Sequence, residues 1–153
     1  METLRYRVPG WGVGELALAG DRVAYHEAPR LSEAHVPHCS SSLVERIRAY
    51  FEGGRDEFAD VELVDPGWTP FQRALCEALR TVPYGEVVTY GELAALAGRP
   101  GAPRAAGTFC ARNQHGLFVP CHRVVAAGGI GSYGSLGVGY KRRLLELEGV
   151  AVR

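Results

Sequence analysis

Thr89-Tyr90-Gly91-Glu92-Leu93-Ala94-Ala95-Leu96-Ala97-Gly98-Arg99-Pro100-Gly101-Ala102-Pro103-Arg104 is the stretch on which the fold turns. Thr89 and Glu92 have the spacing of a capping box, in which a hydroxyl and a carboxylate each accept an orphan N–H at a helix start. The helix so opened runs to Ala97 and is stopped by Gly98. Pro103 suits the first position of the next helix, where its missing N–H has no partner to lose, and predicts a helix from Pro103 to about Arg112. Two short helices joined by a Gly-containing turn read as a helix-turn-helix or as an ordinary αα-hairpin, and spacing alone leaves both open.

Upstream, Thr69-Pro70-Phe71-Gln72 combines an N-cap, a first-turn proline and a capping-box glutamine. Phe71, Leu75, Leu79 and Val82 follow at helical spacing, and the amphipathic helix they predict ends at Tyr84-Gly85. Val87-Val88 reads as brief and extended. Asp65-Pro66-Gly67 is a turn at which composition changes, which divides the chain into domains over 1–66 and 67–153. In the first domain Leu4, Tyr6 and Val8, then Val13 to Ala19, then Arg22 to Glu27 alternate as half-buried strands and predict a small antiparallel sheet. Residues 28–41 read as loop, with Pro29, Pro37 and the run Ser40-Ser41-Ser42. Ser42-x-x-Glu45 reads as the capping box of a helix to about Phe51, and Val61 to Val64 as a further short strand. Residues 114–139 read as Gly-rich loop and extended chain, and Gly139 to Glu148 as a last helix.

The 153 residues are 46% apolar and 22% charged, enough for a core and unlike disordered, collagenous or coiled-coil sequences. Seventeen basic residues balance seventeen acidic ones, a total that by itself argues against a polyanionic partner. The distribution reverses this inference. Residues 1–66 carry 7 Arg against 12 Asp and Glu, a net −5, whereas residues 67–153 carry 10 Lys and Arg against 5 Glu, a net +5. An anionic ligand for the second half is therefore worth testing, beside the plainer reading of two solvated surfaces of opposite sign. Cys39, Cys76, Cys110 and Cys121 are too few and too irregularly spaced for a disulfide-stapled secreted domain, and are read as thiols. No apolar h-region follows Met1 and no apolar run approaches about 18 residues, so a soluble, cytoplasmic protein is expected.

Val119-Pro120-Cys121-His122-Arg123-Val124 is the segment suited to chemistry, because it sets a thiol beside an imidazole and a guanidinium. A thiol with a pKa of about 8.5 is a weak nucleophile at neutral pH until a basic or cationic neighbour favours its thiolate. If the segment is extended, Cys121 and His122 point to opposite faces and can communicate only through a turn or a bridging water. A buried cysteine beside a surface histidine is the alternative.

Pro120-Cys121-His122-Arg123-Val124 resembles the signature of the O6-alkylguanine-DNA alkyltransferases, or methylated-DNA–protein-cysteine methyltransferases, which move an alkyl group from guanine O6 to their own cysteine. Pro83 through Ala94 is similar to the segment leading through that family's first DNA-binding helix, and Arg104-Ala105-Ala106-Gly107 to the start of its recognition helix. Asn113 falls at the family's asparagine, and Lys141-x-x-Leu144-Leu145-x-x-Glu148-Gly149 resembles its closing helix. The resemblance covers about residues 69–150. It implies a mixed α/β fold, with a ribonuclease-H-like small sheet and helix followed by a winged helix-turn-helix-like domain.

The same resemblance implies roles. Cys121 would be the alkyl acceptor, His122 its base through a water, Glu148 the group that orients and charge-stabilises His122, and Asn113 a brace for the turn. Tyr133 would donate a hydrogen bond to the base, with Cys110 and Val124 in the substrate pocket. Double-stranded DNA containing O6-alkylguanine would be the partner, approached through the minor groove by a monomer, with O4-alkylthymine left open as a second lesion. Arg104 would fill the space vacated by a flipped base and Tyr90 would press on the 3′ phosphate, while Ala102, Ala105, Gly107, Thr108, Ala111 and Arg112 form the DNA face. Arg80, Arg99, Arg112, Lys141, Arg142 and Arg143 are phosphate candidates on charge alone. The family usually has small residues where this chain has Thr108 and Phe109, and usually a proline at Gln114. Helical phase places Phe109 in the core and Thr108 on the DNA face.

No metal or organic cofactor is needed for this chemistry, and His26, His35, His38 and Cys39 read as a surface loop in preference to a zinc site. Two rival functions are weighed. Alkyltransferase-like lesion sensors lack the cysteine, so Cys121 argues against one. A cysteine hydrolase or redox protein finds no C-x-x-C and no oxyanion-hole motif here.

Overall fold

The protein, described here from a computed structural model covering residues 1–39 and 41–151, divides into two compact units. Ser40 of the predicted serine run, Val152 and Arg153 lie outside the described residues. Unit 1 is Met1–Pro66 with Gln114–Gly116, and unit 2 is Gly67–Asn113 with Leu117–Arg153. A single cut after residue 66 thus misses one excursion, the three residues whose backbone pairs with His26.

Unit 1 is built on β1 (Glu2–Val8), β2 (Gly12–Ala19) and β3 (Arg22–Arg30), antiparallel in that order, with α1 (Ser42–Phe51). The alternation read from sequence holds in β1, where Tyr6 and Val8 are buried, but not in the central strand β2, where Val13, Leu16 and Ala17 are all buried and the register with β3 shifts twice. β3 continues through Pro29 into the stretch read as loop, which an edge strand tolerates because the missing N–H need not join a ladder. The α1 cap is Ser41, whose hydroxyl accepts the Val44 N–H at 3.1 Å, one residue before the predicted Ser42. Glu45 pairs with Arg48 instead of closing a capping box. The predicted strand over 61–64 reduces to one bridge, Leu63 beside Val23.

His26 is buried at the centre of this unit. Its Nδ1–H donates to the Gly116 carbonyl, and Nε2 accepts the Tyr6 hydroxyl at 2.6 Å, which together fix one neutral tautomer. It is therefore not a ligand beside His35 and His38, which are exposed, and no group of three or more metal-binding side chains forms among the described residues. Burial pushes the His26 pKa down to about 4, against 6.5 when unfolded. The unfolded chain thus binds a proton that the folded chain refuses, and stability falls as pH drops from about 6.5 to about 4. The expected loss is about 3 kcal/mol. Urea unfolding across this range checks it: His26→Gln should flatten the acid limb, and an unchanged limb would exclude His26 as its source.

Unit 2 opens with α2 (Pro70–Leu79), whose capping box forms as read, the Thr69 N–H donating to Gln72 at 2.9 Å and the Gln72 N–H to Thr69 at 3.2 Å. Leu75 and Leu79 are fully buried, contributing roughly 1.5–3 kcal/mol each. The helix stops at Leu79, short of Tyr84-Gly85, because Pro83 disfavours helical backbone at Val82 and the chain tightens into turns over 78–82. β4 (Val88–Thr89) pairs in parallel with β5 (Val124–Val125), and α3 (Tyr90–Leu96) follows directly behind its Thr89–Glu92 capping box. α4 (Pro103–Ala111) begins on Pro103. α3 buries Leu93 and Ala94, α4 buries Ala106 and Phe109, and the two pack on each other. Phe109 lies against Trp68, ring centroids 6.0 Å apart, so its bulk is used in the core. α5 (Val138–Leu147) closes the unit, with Glu148 as its C-cap. No helix of the described residues is long and apolar enough to cross a membrane.

Candidate active site

Cys121 sits where two tight turns meet. Pro120 has φ −79° and ψ 65°, and the Cys121 N–H donates to the Val119 carbonyl at 2.8 Å, the geometry of an inverse γ-turn. The Arg123 N–H then donates to the Pro120 carbonyl at 2.9 Å, closing a 3-10 turn over Cys121–Arg123. The extended reading of this segment is thereby corrected: the fixed ring torsion of Pro120 starts a turn. In a 3-10 turn successive side chains are about 120° apart, so the three can serve different surroundings, and all three are buried.

Glu148 is the hub below them. Its Oε2 accepts His122 Nε2–H at 2.7 Å and Arg123 Nη2–H at 3.0 Å, and its Oε1 accepts Arg123 Nε–H at 2.9 Å and the Gly85 N–H at 3.0 Å. Gly85 has φ +82°, which a side chain would resist, and a Cβ there would come within 3.2 Å of the Glu148 carbonyl oxygen. Arg123 Nη1 donates to the Val82 carbonyl at 2.9 Å. Burial alone would raise the Glu148 pKa, but the hydrogen bonds and charges of His122 and Arg123 overcome that and hold the carboxyl well below its usual range.

This arrangement fixes the protonation pattern. Burial pushes the His122 imidazole below its ordinary pKa; Glu148 resists through its hydrogen bond and charge, and Arg123 and Lys141 reinforce the fall. His122 is neutral at pH 7, with the proton on Nε2 facing Glu148 and the lone pair on Nδ1. Arg123 offsets the Glu148 charge, so the glutamate orients the imidazole more than it makes it basic. Burial pushes the Cys121 thiol well above its ordinary value, Cys110 adds to the rise, and Asn113 and Lys141 oppose it. The resting pair is a thiol and a neutral imidazole, which requires deprotonation during reaction.

Cys121 opens on a cleft lined by Tyr90, Gly107, Cys110, Ala111, Ser132, Tyr133 and Gly134. Asn113 Nδ2 donates to the Val119 carbonyl at 2.9 Å, tying the end of α4 to the turn. Burial holds the Tyr133 phenol far above its ordinary pKa, so it stays a donor. Lys141 is fully buried, its ammonium donating to the Val124 and Ser132 carbonyls and standing 5.6 Å over the Tyr90 ring, and burial lowers its pKa to about 8. It ties β5 to the Tyr133 loop.

Residues 70–150, more than half the chain and including the cleft, match the family described as 6-O-methylguanine DNA methyltransferase, DNA binding domain. The chain belongs to this methyltransferase family. A Mycobacterium bovis methylated-DNA–protein-cysteine methyltransferase is 40% identical over 155 aligned residues, covering 95% of this chain and 92% of the relative. The crystal structure of Mycobacterium tuberculosis OGT in complex with DNA superimposes with a TM-score of 0.81 at 39% identity, covering 96% of this chain and 92% of that one. The O6-methylguanine-DNA methyltransferase from the hyperthermophilic archaeon Pyrococcus kodakaraensis superimposes at 0.73 with 30% identity, covering 97% and 98%. The matched domain contains α3 and α4, which settles the helix pair as part of a methyltransferase DNA-binding domain.

On this methyltransferase the remaining sequence candidates separate into three groups. Cys121, Cys110, Tyr133, Tyr90, Gly107 and Ala111 meet at the cleft, with His122, Glu148 and Asn113 supporting it. Arg104, Ala105, Thr108 and Arg112 are exposed along α4, with Ala102 half-buried at its N-cap. Lys141 leaves the phosphate candidates because it is inside the unit, and Arg80 Nε is engaged by the Phe118 carbonyl at 3.1 Å. Arg99 lies over the Phe71 ring at 4.5 Å and is otherwise exposed. Val124 is buried in β5 and does not line the cleft. Sequence reasoning missed the role of Arg123, quoted in the motif but given no partner, and that of the Gly85 N–H.

Proposed function

We propose that this methyltransferase repairs O6-alkylguanine in double-stranded DNA by transferring the alkyl group irreversibly to its own Cys121. The observation that carries this reading is a buried thiol at a cleft whose adjacent histidine is kept neutral by burial and held in one tautomer by the Glu148 carboxylate. The thiol is protonated at rest, so reaction begins when His122 Nδ1 takes its proton through a bridging water. The Cys121 sulfur then attacks the alkyl carbon, an S–C bond forms, and the C–O6 bond breaks in line. Tyr133, kept protonated, donates a hydrogen bond to the departing guanine and makes it a better leaving group. The product thioether has no thiol to regenerate, so each molecule acts once.

The alkyl carbon is out of reach in stacked duplex, so the damaged nucleotide is extruded into the cleft at a cost of a few kcal/mol. Arg104, exposed in the first turn of α4, fills the gap in the stack, and Tyr90 presses on the 3′ phosphate. Ala102, Ala105 and Gly107 let α4 approach the minor groove closely, with Thr108 and Ala111 on the same DNA face. The protein acts as a monomer, in the cytoplasm at the nucleoid.

Stoichiometry tests the proposal. Guanine restored in an O6-methylguanine duplex should plateau at one per protein molecule, and Cys121→Ala should bind the duplex yet restore none. Continued turnover past that plateau, or restoration by Cys121→Ala, would contradict it.

A further inference from the structure

Cys110 and Cys121 come from different elements, the last turn of α4 and the 3-10 turn, yet both line the same small cleft. Both are free thiols, Cys121 buried and Cys110 partly exposed. Alkyl transfer uses only one of them. Asn113 constrains the pair, because its N–H donates to the Cys110 carbonyl at 3.2 Å while its side chain holds the turn that carries Cys121.

We infer that Cys110 is a peroxide-reactive thiol that closes a reversible disulfide with Cys121, parking the acceptor in a form that cannot take an alkyl group. Cys110 is the sulfur a small oxidant reaches first. In the first step Cys110–SH and hydrogen peroxide give Cys110–SOH and water. In the second the Cys121 sulfur attacks the Cys110 sulfur, an S–S bond forms, the S–O bond breaks, and the departing hydroxide takes up the thiol proton as water. The second step rests on the proposed function in one respect: the His122 base that frees Cys121 for an alkyl carbon also frees it for this sulfur.

The arrangement has a protective consequence. A buried acceptor with no neighbouring thiol would, once oxidised, climb to the sulfinic acid and be lost. With Cys110 beside it the oxidised state is a disulfide, which thiols reduce. Methylation of Cys121 and disulfide formation exclude each other, since a thioether has no thiol proton to give up and its sulfur already carries two carbon bonds, neither of which breaks to leave a neutral disulfide.

The test uses the full chain, reduced and freed of reductant, exposed to hydrogen peroxide and mapped by mass spectrometry without reduction. The expected protein is two hydrogens lighter, with the Cys110 and Cys121 peptides joined. Its methyl-accepting capacity should fall in step with the cross-link and return to the untreated level with dithiothreitol. Cys110→Ser should lose capacity in a way dithiothreitol does not reverse, with oxygens added at Cys121, and prior reaction with O6-methylguanine duplex should block the cross-link. Oxygens added at Cys121 of the unaltered chain with no cross-link, or equally reversible loss in Cys110→Ser, would overturn the inference. A cross-link in a chain whose untreated form accepts no methyl would uphold the disulfide and defeat the alkyl-transfer reading. Methyl acceptance without a cross-link would do the reverse.

Discussion

Glu148→Gln slows alkyl transfer by roughly 10²- to 10⁴-fold, the contribution of a positioned acid–base group, with about 10⁴ lost when the carboxylate that sets a catalytic histidine's tautomer becomes an amide. The carboxylate can only accept, so it forces the proton of neutral His122 onto Nε2 and leaves Nδ1 with the lone pair. A carboxamide can donate to Nε2 instead, moving the proton to Nδ1 and removing the base. The change also leaves the Arg123 guanidinium buried without its counter-charge, at a cost of about 3–5 kcal/mol. Two readouts separate these effects. Adding Arg123→Met removes the orphaned charge and should recover much of the stability while transfer stays slow, in single-turnover assays at a temperature where both variants are folded. A double variant that regains the normal rate would assign the loss to folding, and Glu148 would not be a positioning residue.

Arg104→Ala lowers repair of O6-methylguanine in duplex by roughly 10²-fold, the equivalent of the few kcal/mol needed to hold a base out of the stack. Arg104 is exposed at the start of α4 and contributes nothing to the lining of the Cys121 cleft. Reaction with the free base O6-methylguanine, which needs no extrusion, should proceed at the unaltered rate. A duplex carrying the lesion opposite an abasic gap, already partly unstacked, should fall between the two. Equal losses on duplex and free base would take the flipping role from Arg104 and make it a group that shapes the site.

Local patterns were legible where one physical rule dominates. The Thr69–Gln72 and Thr89–Glu92 boxes, the first-turn prolines and the alternation through Tyr6 and Val8 depend on near neighbours, and each forms as read, whereas in the central strand β2 adjacent residues such as Leu16 and Ala17 are buried together. What a neighbour cannot set was not legible. Pro29 sits in a strand because that strand is an edge, and Lys141 is buried because two carbonyls from distant segments converge on it. Ser41 takes the cap from Ser42, a choice between adjacent equivalent residues. The catalytic set shows the same limit. Cys121 and His122 stand out by type and adjacency, but Glu148 is 26 positions from His122, and only the family resemblance joined them. Arg123, in plain view beside them, gave no sign of whether it met solvent or a carboxylate.

The opposite charges of the two halves also change meaning. Of the ten basic residues that make the second half +5, Arg123 and Lys141 are buried and neutralise or tether internal groups, so they add nothing to a phosphate-facing surface. Of the residues read as phosphate or groove candidates, Arg99, Arg104, Arg112 and Arg143 remain exposed. These four are where a salt-dependent contribution to DNA affinity is to be sought.

The central claim is the identity of the acceptor atom. Incubation with a duplex containing O6-methylguanine, followed by peptide mass spectrometry, should place a single methyl on the peptide containing Cys121 and none on those containing Cys39, Cys76 or Cys110. A methyl on Cys110, or an unmodified protein beside demethylated DNA, would contradict it.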